Sequence, residues 1–329
     1  MEPEERVSFP ALDPALQISF HYRLQLISDM LLRNALSRTV DALDLAVLDR
    51  ELREFVAQPA LKRLASFGLR GEVLFPVPAV LSANPFLLGY YRLLYGFSQK
   101  EFYSKGPFGR FKRLEEKGEL PQAQEDLLVP LCRSLITAAE QLVTGLDQWT
   151  LRTIRDLQLL TLGPQLRGSE NTRIGQTATR EIFGLIREIV APYAVEQTRN
   201  SLLVRNDAGR TVLIAFSSDP DIAITESLGS GSRPLVSIEI KGGGDVSNVH
   251  NRLGEAEKSH RKARNRGFVE FWTILRAKVS RQAARRESPT TTHFFGMDAI
   301  LRPGAPERAR FRDLLCSTLS IRSESRGPG

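Results

Sequence analysis

SSDPDIAITESLGSGSRPLVSIEIKGGG, residues 217–244, decides how the chain is read. It holds two apolar runs of strand type, PDIAI and LVSIEI, separated by a Gly/Ser-rich loop. Side chains alternate along a strand, so Glu239 and Lys241 project from one face while Val236, Ile238 and Ile240 project from the other. Ile222 and Ile224 alternate in the same way, with Asp221 at the entry of their strand. If the two strands pair, Asp221, Glu239 and Lys241 converge.

Two bare carboxylates about 4 Å apart repel by about 4 kcal/mol at an effective dielectric of 20, so such a pair calls for a cation between them. Oxygen donors with no His or Cys nearby suit Mg²⁺ rather than Zn²⁺. A bound Mg²⁺ polarises a phosphoryl oxygen, and the lysine is placed to stabilise the charge that develops there. Acid, acid and lysine on adjacent strands therefore predict a hydrolytic metal site for phosphodiesters. Asp219 offers itself as an alternative to Asp221 in the same DPD triplet.

Outward from this stretch, Ile174 to Tyr193 reads as a helix with Ile174, Ala178, Ile182, Leu185 and Ile189 on its buried face. SLLVRN, the turn Asp207-Ala208-Gly209 and RTVLIAF form a hairpin signature. NRLGEAEKSHRKARNR, 251–266, is helical with Leu253, Ala256 and Ala263 inward. FVEFWTIL is a strand, and THFFGMDAIL is expected to be another. Residues 15–66, 84–103 and 121–160 read as helices, and GEVLFPVPAVLSANP between them as an extended, Pro-rich segment. The tyrosines at 90, 91, 95 and 103 are expected to pack rather than to stack on bases. LGPQLRGSENTR, 162–173, reads as a polar break. The expected fold is α+β: a mainly helical region, 1–165, then a core, 166–329, built on a central mixed β-sheet flanked by helices.

The chain has 329 residues, 42% of them hydrophobic, enough for one large or two smaller cores. No run of roughly 18 apolar residues exists, and MEPEERVSFP lacks the apolar stretch of a signal peptide, so neither membrane span nor secretion is expected. Two cysteines, Cys132 and Cys316, and four scattered histidines build no zinc motif. A reduced, cytoplasmic protein is the expectation. The closing SESRGPG is expected to be disordered.

Pro220-Asp221 followed by Glu239-Ile240-Lys241 resembles the PD-(D/E)XK nuclease motif. The resemblance implies Asp221 and Glu239 as metal ligands, the Ile240 carbonyl as a third donor and Lys241 as the catalytic lysine. It also makes Glu181, on the preceding helix, a further candidate ligand, with Glu188 on a similar face. Two longer stretches, IEIKGGGDVSNVHNRLGEAEKSHRKARNRGF and NPFLLGYYRLLYGFSQKEFY, are similar to the XcyI family of type II restriction endonucleases. That likeness implies Mg²⁺-dependent cleavage of double-stranded DNA at CCCGGG after the first C, leaving 5′ overhangs, with no organic cofactor. A palindromic site mirrors a two-fold protein, so a homodimer is expected, with the helical half embracing DNA or joining protomers.

The net charge is +7 and the pI about 9.6. Residues 241–287 alone hold twelve Lys/Arg against five Asp/Glu, the same excess as the whole chain. Such a concentration beside the proposed site suits a DNA backbone. Candidate DNA contacts are Asn248, His250, Arg252, Lys258, Arg261, Lys262, Arg264, Arg281, Arg285 and Arg286, and ERARFRD, 307–313, has the same mix of types. Gly242, Gly243 and Gly244 allow a sharp turn and a close phosphate after Lys241. Two other readings stand beside this one: a repair or junction-resolving nuclease on the same core, and a non-catalytic DNA-binding protein with a decayed core.

Overall fold

A computed structural model describes residues 14–229 and 231–322. The expected disordered tail and most of the N-terminal decapeptide's neighbourhood lie outside the described residues. The chain divides into two compact units, Met1–Gly168 and Ser169–Gly329.

The first unit is helical. Its elements are α1 (Ala15–Leu31), α2 (Arg33–Asp41), α3 (Leu45–Phe55), α4 (Gln58–Ser66), α5 (Pro78–Ala83), α6 (Leu87–Leu94), α7 (Gln99–Ser104), α8 (Lys112–Lys117), α9 (Gln122–Glu125), α10 (Leu128–Gly145) and the first part of α11 (Leu151–Val190). Every residue of α6 is buried, as a helix apolar on all sides requires. The hydroxyls of Tyr90, Tyr91 and Tyr95 donate to the carbonyls of Val73, Glu72 and Leu74 at 2.9, 2.7 and 2.6 Å. These rings are packing residues, as expected, and their polar ends satisfy the backbone of residues 72–74. Arg92 on the same helix forms a fork with Glu115, at 2.8 and 2.7 Å, and both side chains are at most 2% exposed.

Two expectations fail here. The segment 71–85 is not extended: residues 71–73 form a 3₁₀ turn and α5 begins on Pro78, whose fixed φ suits a first helical turn. Residues 162–173 do not form a turn, although the division between the two units, Gly168/Ser169, falls among them. They lie inside the 40-residue α11, Pro164 included. An interior proline costs about 3 kcal/mol. Leu162 and Leu166, on either side of it, are buried in a cluster with Leu32 and Leu93. That burial holds the segment helical against its local preference.

The second unit contains the end of α11, a seven-stranded sheet and four helices. The strands are β1 (Ala194–Gln197), β2 (Ser201–Arg205), β3 (Thr211–Phe216), β4 (Ile222–Leu228), β5 (Gly231–Lys241), β6 (Glu270–Leu275) and β7 (His293–Gly296). They lie in sequence order; β1 to β5 pair antiparallel and β5, β6 and β7 pair parallel. The parallel crossovers are made by α12 (Val249–Asn265) and α13 (Arg281–Glu287), and the chain closes with α14 (Met297–Leu301) and α15 (Pro306–Leu319). The mixed sheet agrees with the expected fold class. β1 was not anticipated, and THFFGMDAIL is strand only to Gly296, where it turns into α14.

The antiparallel strands bury one face: Leu202, Val204, Val212, Ile214, Ile222 and Ile224 pack with Ala178, Ile182 and Ile186 of α11 and Phe311 and Leu315 of α15. β5 and β6 are buried on both faces, as parallel strands covered by helices on both sides are. α12 covers the second face and brings polar groups, Ser259 and His260, onto it.

Candidate active site

The register of the β4–β5 pair places Ile222 opposite Ile238. Stepping one residue outward on each strand puts Asp221 opposite Glu239, on the face turned away from the Ile222–Ile238 contact. Asp221 is anchored by the backbone: its Oδ2 accepts from the Ile240 N–H at 2.7 Å. Two positions along β5 from Glu239, Lys241 donates to Glu239 Oε2 at 3.0 Å, and its Nζ is 3.8 Å from Glu255 of α12. Ser259, also on α12, is held between two acids: its hydroxyl is 2.5 Å from Glu239 Oε1 and also within bonding distance of Asp219 Oδ1. A serine hydroxyl has one proton, so it can donate to only one of them at a time. Asp219 is drawn away from Asp221's position: Lys262 donates to its Oδ2 at 2.8 Å and Arg266 to its carbonyl at 2.5 Å.

The electrostatics separate these groups. Burial pushes the Asp221 carboxyl above its ordinary range, against the Ile240 hydrogen bond and the Lys241 charge. Burial also raises Glu239; Lys241 opposes this and the Asp221 charge adds to it. For Lys241 burial works downward, but Glu239, then Asp221 and Glu255, outweigh it, so the ammonium is held protonated. Burial would raise Asp219 as well, yet Lys262, Ser259 and Arg266 together hold it below the usual range. His260 is fully buried between the Ser237 and Thr273 hydroxyls, at 3.2 and 2.9 Å, and burial lowers it to about 4.

Two buried carboxyls, each raised by burial and facing one another, form a donor pair that a cation would relieve. The donors are hard oxygens, with the Ile240 carbonyl next in sequence after Glu239 and no thiolate or imidazole among them, which fits Mg²⁺. Among the described residues no group of three or more His, Cys, Asp or Glu side chains is gathered for a metal ion. Glu181 accounts for this in part: it accepts from Arg276 at 2.9 Å, and Arg276 also reaches Asp298 at 3.2 Å. Glu188 is held by Arg308 at 2.8 Å through both oxygens.

The candidate DNA contacts are scattered in role. Arg252 donates to the Gly243 carbonyl. Arg261 pairs with Glu257 at 2.7 Å, Lys262 with Asp219, and Arg264 lies over the Phe271 ring. Asn248 donates to Asp245 at 3.4 Å and His250 lies 3.5 Å from Glu287. Lys258 is exposed on α12, and Arg281, Arg285 and Arg286 ride on α13, the last 3.4 Å from Glu287. ERARFRD is part of α15, with Phe311 in the core.

Gly242 and Gly243 are needed for close approach. A Cβ on Gly242 would lie 2.2 Å from the Ala178 Cβ, and one on Gly243 2.3 Å from the Arg252 guanidinium. Sequence reasoning missed Ser259 and Glu257. The signal was present: Leu253, Ala256, Ser259 or His260, and Ala263 share one helical stripe, so the polar members had to meet the sheet. Glu257 accepts from the Thr290 N–H and hydroxyl at 2.9 and 2.8 Å, tying α12 to the segment before β7.

Comparison with known proteins identifies the family of the chain. A family model described as XcyI restriction endonuclease matches residues 21–322. The type II restriction enzyme XcyI of Xanthomonas campestris pv. cyanopsidis is 44% identical over 337 aligned positions, covering 100% of both chains. The type II restriction enzyme Cfr9I of Citrobacter freundii is 41% identical, covering 98% of each.

Proposed function

Because the chain belongs to the XcyI restriction endonuclease family, its enzyme class is that of a type II site-specific deoxyribonuclease, and we propose that Asp221, Glu239 and Lys241 carry out the hydrolysis with Mg²⁺. The substrate is double-stranded DNA at a short palindrome, CCCGGG, cut after the first C by a homodimer in the bacterial cytoplasm. The observation that supports the site is the β4–β5 register, which sets Asp221 against Glu239 with the Lys241 ammonium at 3.0 Å.

Asp221, Glu239 and the Ile240 carbonyl would hold the ion. When bound, it supplies polarisation of a phosphoryl oxygen and a lowered pKa for a water. Lys241 stays charged, because its carboxylate neighbours keep the proton on its amine. It therefore acts by stabilising negative charge on the attacked phosphate rather than by taking a proton. Ser259 fixes the Glu239 carboxylate from the side opposite Lys241. His260 takes no part in proton transfer: it is buried, neutral and occupied at both ring nitrogens.

The test is plasmid cleavage in Mg²⁺ and in EDTA by wild type, Asp221→Ala, Glu239→Ala and Lys241→Ala, with DNA binding measured alongside. Each substitution should remove at least about 10²–10³-fold in rate, the cost of one transition-state charge partner, while binding persists. Sequencing the cut ends would test CCCGGG directly. A folded Lys241→Ala protein that cleaves at the wild-type rate would remove the catalytic assignment.

A further inference from the structure

A second feature adjoins Asp221 on the α11 side of the sheet. It is a cleft of about 650 Å³, walled by α11, by the turn between β1 and β2, and by the segment leading to β4. Gln176, Arg180, Phe183 and Arg187 line it from α11 at positions i, i+4, i+7 and i+11, a single helical stripe. Arg199 and Asn200 line it from the turn, and Phe216 packs on Phe183 with ring centroids 4.3 Å apart. Asp221 and Ile240 close its inner end.

Three guanidiniums in this cleft face a single carboxyl, Asp221 at its end. Among the described residues Arg180, Arg187 and Arg199 form no ion pair, whereas several cations of α12 are already engaged: Arg261 with Glu257, Lys262 with Asp219, Arg252 with the Gly243 carbonyl. Arg187 lies over the Phe183 ring, and its Nε is buried without a hydrogen-bond partner. The turn that carries Arg199 is well held: Thr198 Oγ1 accepts from the Asn200 and Ser201 N–H groups at 3.2 and 3.0 Å, and the Asn200 carbonyl accepts from the Phe216 N–H at 3.0 Å. Arg199 itself is exposed, with no ion pair among the described residues.

Three guanidiniums around an aromatic floor, one wall ending at a proposed ligand of the scissile phosphate's metal, suit a polyanionic strand. Arg180 and Arg187, seven residues apart, are separated by about 10 Å along the helix axis at about 1.5 Å per residue. A DNA strand carries one phosphate per about 3.4 Å of axis, so that separation corresponds to about three phosphate steps along the duplex axis.

We infer that Arg180, Arg187 and Arg199 bind the phosphates of the strand being cut, next to the scissile bond, with a sugar over the half-buried Phe216. This rests on the nuclease reading above for the position of the scissile phosphate. It moves the principal backbone grip from α12 to the α11–β1/β2 cleft.

The experiment uses the whole chain and the Arg180→Ala/Arg199→Ala double variant, both exposed positions with no ion pair among the described residues, with Arg180→Lys/Arg199→Lys as the charge-keeping control. Binding to a labelled duplex is measured in EDTA across a range of salt. The double alanine variant should lower the slope of log K against log salt by about 0.9 per lost phosphate contact, about 2 in all, and the lysine pair should keep most of it. A methylphosphonate scan of the duplex should find positions that weaken wild type but not the alanine variant. Plasmid cleavage by wild type in Mg²⁺ is recorded in parallel. Cleavage with an unchanged salt slope overturns the cleft and leaves the nuclease reading intact. A reduced slope with no cleavage keeps the cleft as a DNA-strand site and rejects the nuclease reading.

Discussion

Replacing Gly242 by alanine tests whether the backbone next to Lys241 is fixed by contact with α11. The added Cβ would stand 2.2 Å from the Ala178 Cβ and 3.2 Å from the Ile174 carbonyl. Carbon atoms rest no closer than about 3.5 Å, so strand and helix must separate by more than about 1 Å. Overpacking of this kind costs about 1–3 kcal/mol in stability. Gly242 follows Lys241 directly, so the displacement reaches the ammonium that sits 3.0 Å from Glu239. A misplacement of about 1 Å at a reacting centre costs about 10²-fold in rate, or about 2.7 kcal/mol of barrier. Single-turnover plasmid cleavage in Mg²⁺ should therefore slow about a hundredfold in Gly242→Ala. Ala178→Gly removes the opposing methyl. Alone it should cost about 1 kcal/mol of stability as a helix glycine and little activity; combined with Gly242→Ala it should restore most of the rate. The nearest remaining atoms would then be 3.2 and 3.7 Å away. The reasoning fails if Gly242→Ala cleaves like wild type, or if the double variant is as slow as the single one.

Three further outcomes follow from buried charge. Asp221→Asn should raise the melting temperature of the metal-free protein at neutral pH. The raised folded pKa means that wild type loses stability as pH rises through it, a loss the amide escapes, so the two curves should meet in acid. His260, lowered to about 4 from about 6.5, contributes stability above 6.5 that is lost as pH falls toward 4, up to roughly 3 kcal/mol; His260→Gln should flatten that part of the denaturation profile. Arg92→Met should destabilise the helical unit by about 3–5 kcal/mol in urea titrations, because Glu115 is left buried without its counter-charge, and Arg92→Met/Glu115→Gln should recover part of it.

Much of the second unit was legible because its strands alternate cleanly and its hairpin turn is marked by Asp207-Ala208-Gly209. Periodicity fixed that Glu239 and Lys241 share a face, while setting Asp221 opposite Glu239 needed the β4–β5 register, which the sequence left conditional. What escaped the sequence was set by partners far along the chain. Pro164 is helical because Leu162 and Leu166 are buried with Leu32 and Leu93. Ser259 and Glu257 look like ordinary polar residues of a charged helix until the sheet beneath them is known. Arg199 sits in a short turn with no motif, and its place beside Asp221 arises only from the neighbouring strands.

The alternation along β5 also governs how this molecule tolerates change. Val236, Ile238 and Ile240 are rooted in the apolar interior while Ser237, Glu239 and Lys241 look the other way. Adding or deleting one residue between them would exchange the two sets, sending charge into oil and grease into the proposed active site. Exchanging one aliphatic for another beneath the sheet should therefore be tolerated, whereas changing the length of that strand by one residue should not.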